Sequence, residues 1–262
     1  MEYNICVGFK TILRRRRRMK KLLVLLLACC LVFGMTACTA KKAEEDPTKK
    51  SEGVMTFDQY WAANQYDNVV VETYVQGKES WWQDAAVIYT QDGNGAYFLY
   101  NLPCTQEQYD KLTVGTKIKV TGFKDAYSEM IEISPESFEI EEGSYVATPA
   151  DYTSILANTD ELAKHMGEYV TFKGLKVEAA NEAGDAFMYN WDGSGEEGSD
   201  VYFNLSLDGQ TYSFNVRSYL CGPETEVYKA AQALQVGQTI DVECFLYWYY
   251  GPQPRVTNII VK

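Results

Sequence analysis

The chain has 262 residues, of which 46% are hydrophobic and 14% aromatic, and its formal net charge at pH 7 is −12. This length is enough for two domains of ordinary size, and 20 tyrosines against 7 prolines are typical of a β-rich globular chain. An acidic surface repels phosphate backbones, so the charge argues against nucleic acid as a partner.

The first predicted segment is an export signal that ends at Cys38. A charged start at residues 19–21 precedes an apolar run, residues 22–33, which is too short to span a bilayer and is followed by small residues. A purine-rich ribosome-binding site encodes arginines when it is translated in frame, and five arginines at 14–18 stand directly before Met19. We therefore expect translation to start at Met19. The alternative is a long basic leader, which leaves the export prediction unchanged.

Residues 34–38, Gly-Met-Thr-Ala-Cys, resemble a bacterial lipobox. The resemblance implies that the thiol of Cys38 carries a lipid and that the chain is cut before it. The protein would then be anchored to the outer face of the cytoplasmic membrane. Cys29 also follows small residues, but cleavage there would leave half of the apolar run uncut.

Residues 38–55 predict a flexible tether, because they are polar and cannot bury a core. Loss of residues 1–37 would leave 16 basic and 35 acidic residues, a formal charge of −19. Four lysines near the lipid favour an anionic membrane surface locally: Lys41, Lys42, Lys49 and Lys50.

An internal repeat indicates the architecture of the remaining chain. Residues 112–123 return as residues 234–245, and Leu, Val, Gly, Ile, Val and Phe coincide at an offset of 122. In both copies the glycine marks a turn before a strand of alternating apolar and polar residues. Each copy is preceded by a helix and is followed by a further strand.

The predicted elements occur in the same order in both copies. Capping boxes at Thr56 and Thr105 predict helices up to Ala63 and Leu112, and two further helices are expected over residues 160–166 and 223–234. The other predicted strands are residues 69–76, 84–91, 96–101 and 130–140 in the first copy, and residues 170–177, 201–207, 211–216 and 255–261 in the second.

Three strands, a helix and two strands are the order of an OB-fold barrel. The chain is therefore predicted to be mostly β, with two tandem five-stranded Greek-key barrels that each carry a helix between strands 3 and 4. Residues 56–145 form the first predicted domain, and residues 146–262 form the second with a leading linker helix.

From Thr56 onward the chain resembles tandem OB-fold lipoproteins of Firmicutes. The resemblance rests on the lipobox, both Val-Gly segments and residues 76–82, 191–195 and 245–249. The family has no assigned activity, so the resemblance implies a fold and leaves the function open.

Catalysis is not expected. The only histidine, His165, lies in the linking helix without a Ser or Cys partner pattern, and no phosphate-binding glycine loop is present. The acidic loop of residues 192–200 is a weak calcium candidate through Asp192, Glu196 and Asp200, although it departs from the EF-hand pattern. The alternative is a solvated acidic loop, and no other cofactor is expected.

Three cysteines follow Cys38 in the predicted barrels: Cys104, Cys221 and Cys244. No two of them have the spacing of a metal site, so we expect mostly buried apolar residues. A disulfide between Cys221 and Cys244 remains open.

Aromatic residues are the best clue to binding. In OB-folds the loops between strands 1 and 2 and between strands 4 and 5 form a mouth that grips oligonucleotides or oligosaccharides. The candidates in these loops are Trp81, Trp82, Tyr127, Trp248, Tyr249 and Tyr250. Flat rings stack on sugar faces, but a run of aromatics on a strand can instead bury alternate rings in a barrel or in the interface between domains.

The sequence therefore predicts a non-catalytic surface lipoprotein that binds an extracytoplasmic ligand, with a glycan favoured. The alternative is a scaffold lipoprotein that binds another envelope protein. Binding of single-stranded nucleic acid follows from fold analogy alone, and it is opposed by the charge and by the two arginines that remain after processing.

Overall fold

Ten strands form two five-stranded barrels within residues 46–262, the part of the chain that the computed structural model describes. The predicted export signal, Cys38 and residues 41–42 lie outside the described residues. Within residues 46–262 no helix is long and apolar enough to cross a membrane.

The first barrel is closed, with strand order β1-β2-β3-β5-β4 and an antiparallel pairing of β1 with β4. One helix precedes the barrel and another lies between β3 and β4. These elements are α1 (Phe57–Ala62), β1 (Asn68–Lys78), β2 (Ala85–Gln91), β3 (Ala96–Pro103), α2 (Gln106–Lys111), β4 (Thr116–Tyr127) and β5 (Met130–Ser144).

The second barrel contains β7, β11, β12, β10 and β9, and the pairing of β7 with β9 closes it. Two short strands, β6 and β8, extend its sheet, and 3-10 turns at Thr153–Ile155 and Ala163–His165 flank α3. These elements are β6 (Ala150–Asp151), α3 (Thr159–Leu162), β7 (Tyr169–Glu178), β8 (Met188–Tyr189), β9 (Val201–Leu207), β10 (Gln210–Val216), α4 (Glu226–Gln232), β11 (Thr239–Phe245) and β12 (Arg255–Val261).

Both barrels have the predicted OB-fold order of three strands, a helix and two strands. Local signals explain why the elements begin where they do. At α1 the hydroxyl of Thr56 accepts a hydrogen bond from the Gln59 amide, and the Gln59 side chain accepts one from the Thr56 amide. The last helix, α4, begins at Glu226 instead of Pro223, because Thr225 provides the N-cap.

The two barrels share an apolar interface. The core cluster of the second barrel includes Tyr89, Phe98 and Met130 of the first. The ring of Tyr89 stacks on that of Phe245 with centroids 4.4 Å apart, and both rings are almost completely buried. Burial of aromatic area on this scale holds the barrels together as one packed unit.

The last ten residues of the predicted tether differ from the expectation of a free segment. The Lys50 ammonium lies 2.5 Å from a carboxylate oxygen of Asp92 and donates a 2.6 Å hydrogen bond to the Glu72 carbonyl oxygen. Val54 is buried, and the Met55 amide donates to the Val70 carbonyl oxygen. This segment lies on the first barrel because Lys50 neutralises a buried carboxylate.

The three cysteines of residues 46–262 are free. Cys104 and Cys244 are buried and Cys221 is half-buried, so the disulfide between Cys221 and Cys244 is not formed. Burial raises the pKa of Cys221 to about 11, which keeps its thiol protonated at neutral pH.

Candidate functional site

A cleft of about 720 Å³ lies where the two barrels meet. Its lining combines six aromatic rings with a carboxylic acid, an amide and two guanidinium groups. The lining residues are Tyr100, Tyr127, Glu132, Trp191, Tyr202, Arg217, Tyr247, Tyr249, Gln253 and Arg255.

Strands and the loops at their ends contribute equally to the lining of this cleft. The connection between β4 and β5 in the first barrel contacts the connection between β11 and β12 in the second, since the Tyr250 amide donates a 2.9 Å hydrogen bond to the Ser128 carbonyl oxygen. The ring centroids of Tyr127 and Tyr249 are 6.3 Å apart. The predicted mouths of the two barrels thus contribute to one shared cleft.

An ion-pair network holds the two arginines in this cleft. The Glu79 carboxylate of the first barrel accepts a 2.7 Å hydrogen bond from Nη1 of Arg255, and hydrogen bonds of 3.2 and 3.3 Å from Nε of Arg217. Nη1 of Arg217 also donates to Asp200 at 2.9 Å. Arg255 donates to the Tyr89 hydroxyl as well.

The network fixes the rings of the cleft as well as its charges. The guanidinium carbon of Arg255 lies 3.4 Å from the centroid of the Tyr247 ring, so the two planar groups are in contact. Arg217 and Arg255 are the only arginines among residues 46–262, and the positive charges of both lie in this cleft. The carboxylates of Glu79 and Asp200 balance that charge.

Glu132 is the acid that lines the cleft. It is 5% exposed. Burial, together with the nearby Asp125 carboxylate, raises the pKa of Glu132 to about 7, while the Arg255 guanidinium partly opposes that rise. The cleft therefore changes charge near neutral pH.

The structure brings two of the six predicted aromatic residues, Tyr127 and Tyr249, into this cleft. Trp82 lines a neighbouring cleft, and Tyr250 is exposed beside Tyr249, with ring centroids 5.2 Å apart.

The two remaining predicted tryptophans are not in the cleft. Trp81 packs against the core of the first barrel and its indole N–H donates to the Cys104 carbonyl oxygen. Trp248 is buried and donates to Glu129 at 3.3 Å. Trp248 is thus buried as its aromatic run allowed, whereas Trp81 is half-buried, and neither lines this cleft.

The acidic loop does not form a metal centre among the described residues. Asp200 is turned towards Arg217 and also accepts a hydrogen bond from the Ser218 amide, whereas Asp192 accepts one from the Ser194 amide within the loop. Within residues 46–262 no group of three or more His, Cys, Asp or Glu side chains could hold a metal ion.

His165 has a local role in the segment that links the barrels. Its Nδ1 lies 2.9 Å from the Tyr152 hydroxyl and 3.1 Å from a carboxylate oxygen of Glu168, and Tyr152 donates to Glu168 at 2.6 Å. None of these three residues lines the cleft between the barrels.

Sequence reasoning missed most of the lining, because six of the missed residues lie outside the two loops of an OB-fold mouth. The missed residues are Tyr100, Glu132, Trp191, Tyr202, Arg217, Tyr247, Gln253 and Arg255. One signal in the sequence pointed to part of this site. Residues 46–262 contain only two arginines, so a site that needs guanidinium groups must use these two.

No family model matches the chain, and no curated protein is significantly similar to it. Similar solved structures include the hypothetical protein ygiW from E. coli, with 16% identity, a TM-score of 0.26 and coverage of 35% of this chain and 94% of that chain. The p204 HINb domain has 8% identity, a TM-score of 0.34 and coverage of 76% and 100%. The single-stranded DNA binding protein from Thermus aquaticus has 13% identity, a TM-score of 0.25 and coverage of 76% and 94%. At these scores the likenesses carry no inference about a ligand.

Proposed function

We propose that this protein is an exported, non-catalytic lipoprotein that binds a glycan in the cleft between its two barrels. One observation carries the proposal: six aromatic rings, two guanidinium groups, an amide and an acid line a single concave site of about 720 Å³. Sites for small ligands are clefts of roughly this size, with apolar walls and a few polar groups that fix the ligand's orientation.

The chemistry of the lining fits a sugar. Exposed rings such as Tyr249 and Tyr127 provide flat apolar faces for the C–H side of a pyranose, and they lose little conformational freedom on binding. Gln253, Glu132 and the guanidinium groups provide donors and acceptors for its hydroxyl groups.

Two features favour binding over catalysis. Glycoside hydrolysis generally needs a pair of carboxyl groups on either side of the bond, and Glu132 is the single carboxylic acid in the lining of this cleft. The nearby Glu79 carboxylate is held by both arginines and is buried.

The export signal and the lipobox resemblance support a place on the outer face of the cytoplasmic membrane, with the lipid on Cys38. They also support membership of the tandem OB-fold lipoprotein family. A glycan is a ligand that a protein at this location would encounter.

Two other partners are less well supported. A surface that binds a protein partner is typically a flat apolar patch, whereas this site is concave and its lining is mixed in polarity. Single-stranded nucleic acid would need free cations along a groove, but Arg217 and Arg255 both donate to the Glu79 carboxylate.

A screen of the full-length protein in detergent against an array of glycans and peptidoglycan fragments tests the proposal. Tyr249→Ala should weaken binding of each array ligand about tenfold, because a stacking ring is lost from the cleft. Tyr66→Ala is the matched control, since Tyr66 is an exposed tyrosine that does not line the cleft.

Single-stranded oligonucleotides belong in the same screen. Saturable glycan binding that Tyr249→Ala weakens and Tyr66→Ala leaves intact would support the proposal. A blank glycan array, or binding to oligonucleotides alone, would contradict it.

A further inference from the structure

A second cleft of about 290 Å³ adjoins the first. The two clefts share Tyr100 and Arg217 in their linings, so they meet at these two residues. The second cleft also presents the rings of Trp82 and Tyr219, which are 72% and 59% exposed. Aromatic rings that stay this exposed beside a ligand cleft are available for stacking.

The backbone at the junction of the clefts is irregular. The register between β2 and β3 shifts between Ala86 and Ile88, which leaves Val87 opposite both Tyr100 and Asn101. Asn101 has a φ of +57°, in the left-handed region. A β-bulge of this kind re-aims side chains and is common beside functional sites, and here it directs Tyr100 to the junction.

Contacts between the barrels fix the walls of the second cleft. The Ser80 amide and hydroxyl of the first barrel donate to the Tyr219 carbonyl oxygen at 2.7 and 3.2 Å. The guanidinium carbon of Arg217 lies 5.2 Å from the centroid of the Tyr219 ring. Trp82 is held on the other wall by paired backbone hydrogen bonds with Ala85. The residues that carry these rings are therefore held in place before a ligand binds, which lowers the entropic cost of binding.

We propose that the two clefts form one groove that binds a linear oligosaccharide longer than the first cleft alone can hold. Trp82 and Tyr219 stack on the sugar units at one end, and Tyr127 and Tyr249 on those at the other. Tyr100 and Arg217 contact the units that cross the junction. This inference rests on the proposed function, because it assigns a chain length and a second subsite to the same glycan site.

The test is a chain-length series of the array glycan that binds best, from disaccharide to hexasaccharide, titrated calorimetrically into the full-length protein. The affinity of the wild-type protein should rise with chain length until the groove is filled. Trp82→Ala should bind the disaccharide like the wild-type protein but lose about tenfold affinity for the hexasaccharide. Tyr219→Ala should behave in the same way.

Tyr249→Ala should weaken every member of the series, and Tyr66→Ala should weaken none. Equal affinity of the wild-type protein for all chain lengths, or an identical loss at every length in Trp82→Ala, would overturn the second subsite while leaving the first cleft as a glycan site. Absence of binding at every length would overturn both proposals.

Discussion

At the residue scale, Glu79 organises the cleft. Its carboxylate accepts hydrogen bonds from the guanidinium groups of both Arg217 and Arg255, and from the Tyr89 hydroxyl at 2.8 Å. Glu79 and Arg255 are both largely buried. A buried charge that has lost water needs such a partner, so Arg255 depends on the Glu79 carboxylate, whereas Arg217 also pairs with Asp200.

Glu79→Gln should lower the free energy of unfolding by about 3 kcal/mol, because Arg255 remains buried without its counter-charge. Urea denaturation at pH 7 measures the change. The control is Glu107→Gln, which breaks a solvent-exposed pair with Lys111 and should leave the free energy of unfolding nearly unchanged. Equal effects of the two substitutions would contradict the role given to Glu79.

Glu132 contributes a pH dependence to the stability of the protein. Its pKa in the folded protein is about 7, above the usual value, so the folded state holds a proton that the unfolded state has released. The unfolded state binds fewer protons across this interval, and stability therefore falls as pH rises from about 4.5 to 7. The loss contributed by this group reaches about 3 kcal/mol and is complete above that window.

Glu132→Gln should remove this loss, since the amide is uncharged at every pH. The variant should match the wild-type protein near pH 4.5 and be more stable by about 3 kcal/mol at pH 8. Urea denaturation at a series of pH values provides the comparison. Glu136→Gln alters an exposed carboxylate of the same strand and is the control. A variant that tracks the wild-type protein at all pH values would exclude the raised pKa.

At the element scale, β1 passes close to the second barrel at Gly77. A methyl group at this position would lie 2.8 Å from Cε2 of Phe245, whose ring is buried and stacked on Tyr89. The ladder between β1 and β2 shifts register between Val75 and Gly77, so a bulge brings the strand to this contact. Glycine is required here because there is no space for a side chain.

Gly77→Ala should destabilise the protein by about 1–3 kcal/mol through overpacking against Phe245. Phe245→Leu removes the crowding ring, so the double variant should lose less stability than the sum of the two single variants. A double-mutant cycle by urea denaturation measures this coupling. Simple additivity of the two losses would show that Gly77 and Phe245 do not interact.

The elements themselves could be predicted from the sequence, because their signals are local. The turn at Asp208 and Gly209, with φ values of +50° and +82°, joins β9 to β10 as the residue types indicate. Burial alternates along β4 from Ile118 to Asp125, as the repeat predicts, but Lys117 on the outward register is buried as well. The bulge at Tyr100 could not be predicted, since no glycine or proline marks it and it arises from pairing with β2.

At the scale of the whole molecule, the two barrels keep separate core clusters but share an apolar interface and one cleft. The repeat predicted two barrels, but it carried no information on which faces meet. Tyr89 and Phe98 lie on β2 and β3 of the first barrel, yet they belong to the core cluster of the second. Tyr127 and Tyr249 were found because they lie in mouth loops, whereas Glu132 and Arg255 enter the cleft only through the docking of the barrels.

The apolar interface between the barrels predicts that they unfold together. Separation would expose Tyr89, Phe98 and Phe245, so neither barrel should be stable at a denaturant concentration that unfolds the other. Calorimetry should give a single transition with equal calorimetric and van't Hoff enthalpies, and fluorescence and circular dichroism should report the same midpoint. Two resolved transitions would contradict a single cooperative unit.

A crystal structure of the protein with the array glycan that binds best would locate the bound sugar. We expect sugar rings stacked on Tyr127 and Tyr249, with Arg217 and Gln253 within hydrogen-bond distance of the hydroxyl groups. A sugar bound elsewhere, such as in the surface depression lined by Asp151 and Tyr212, with the cleft between the barrels free of ligand, would contradict this expectation.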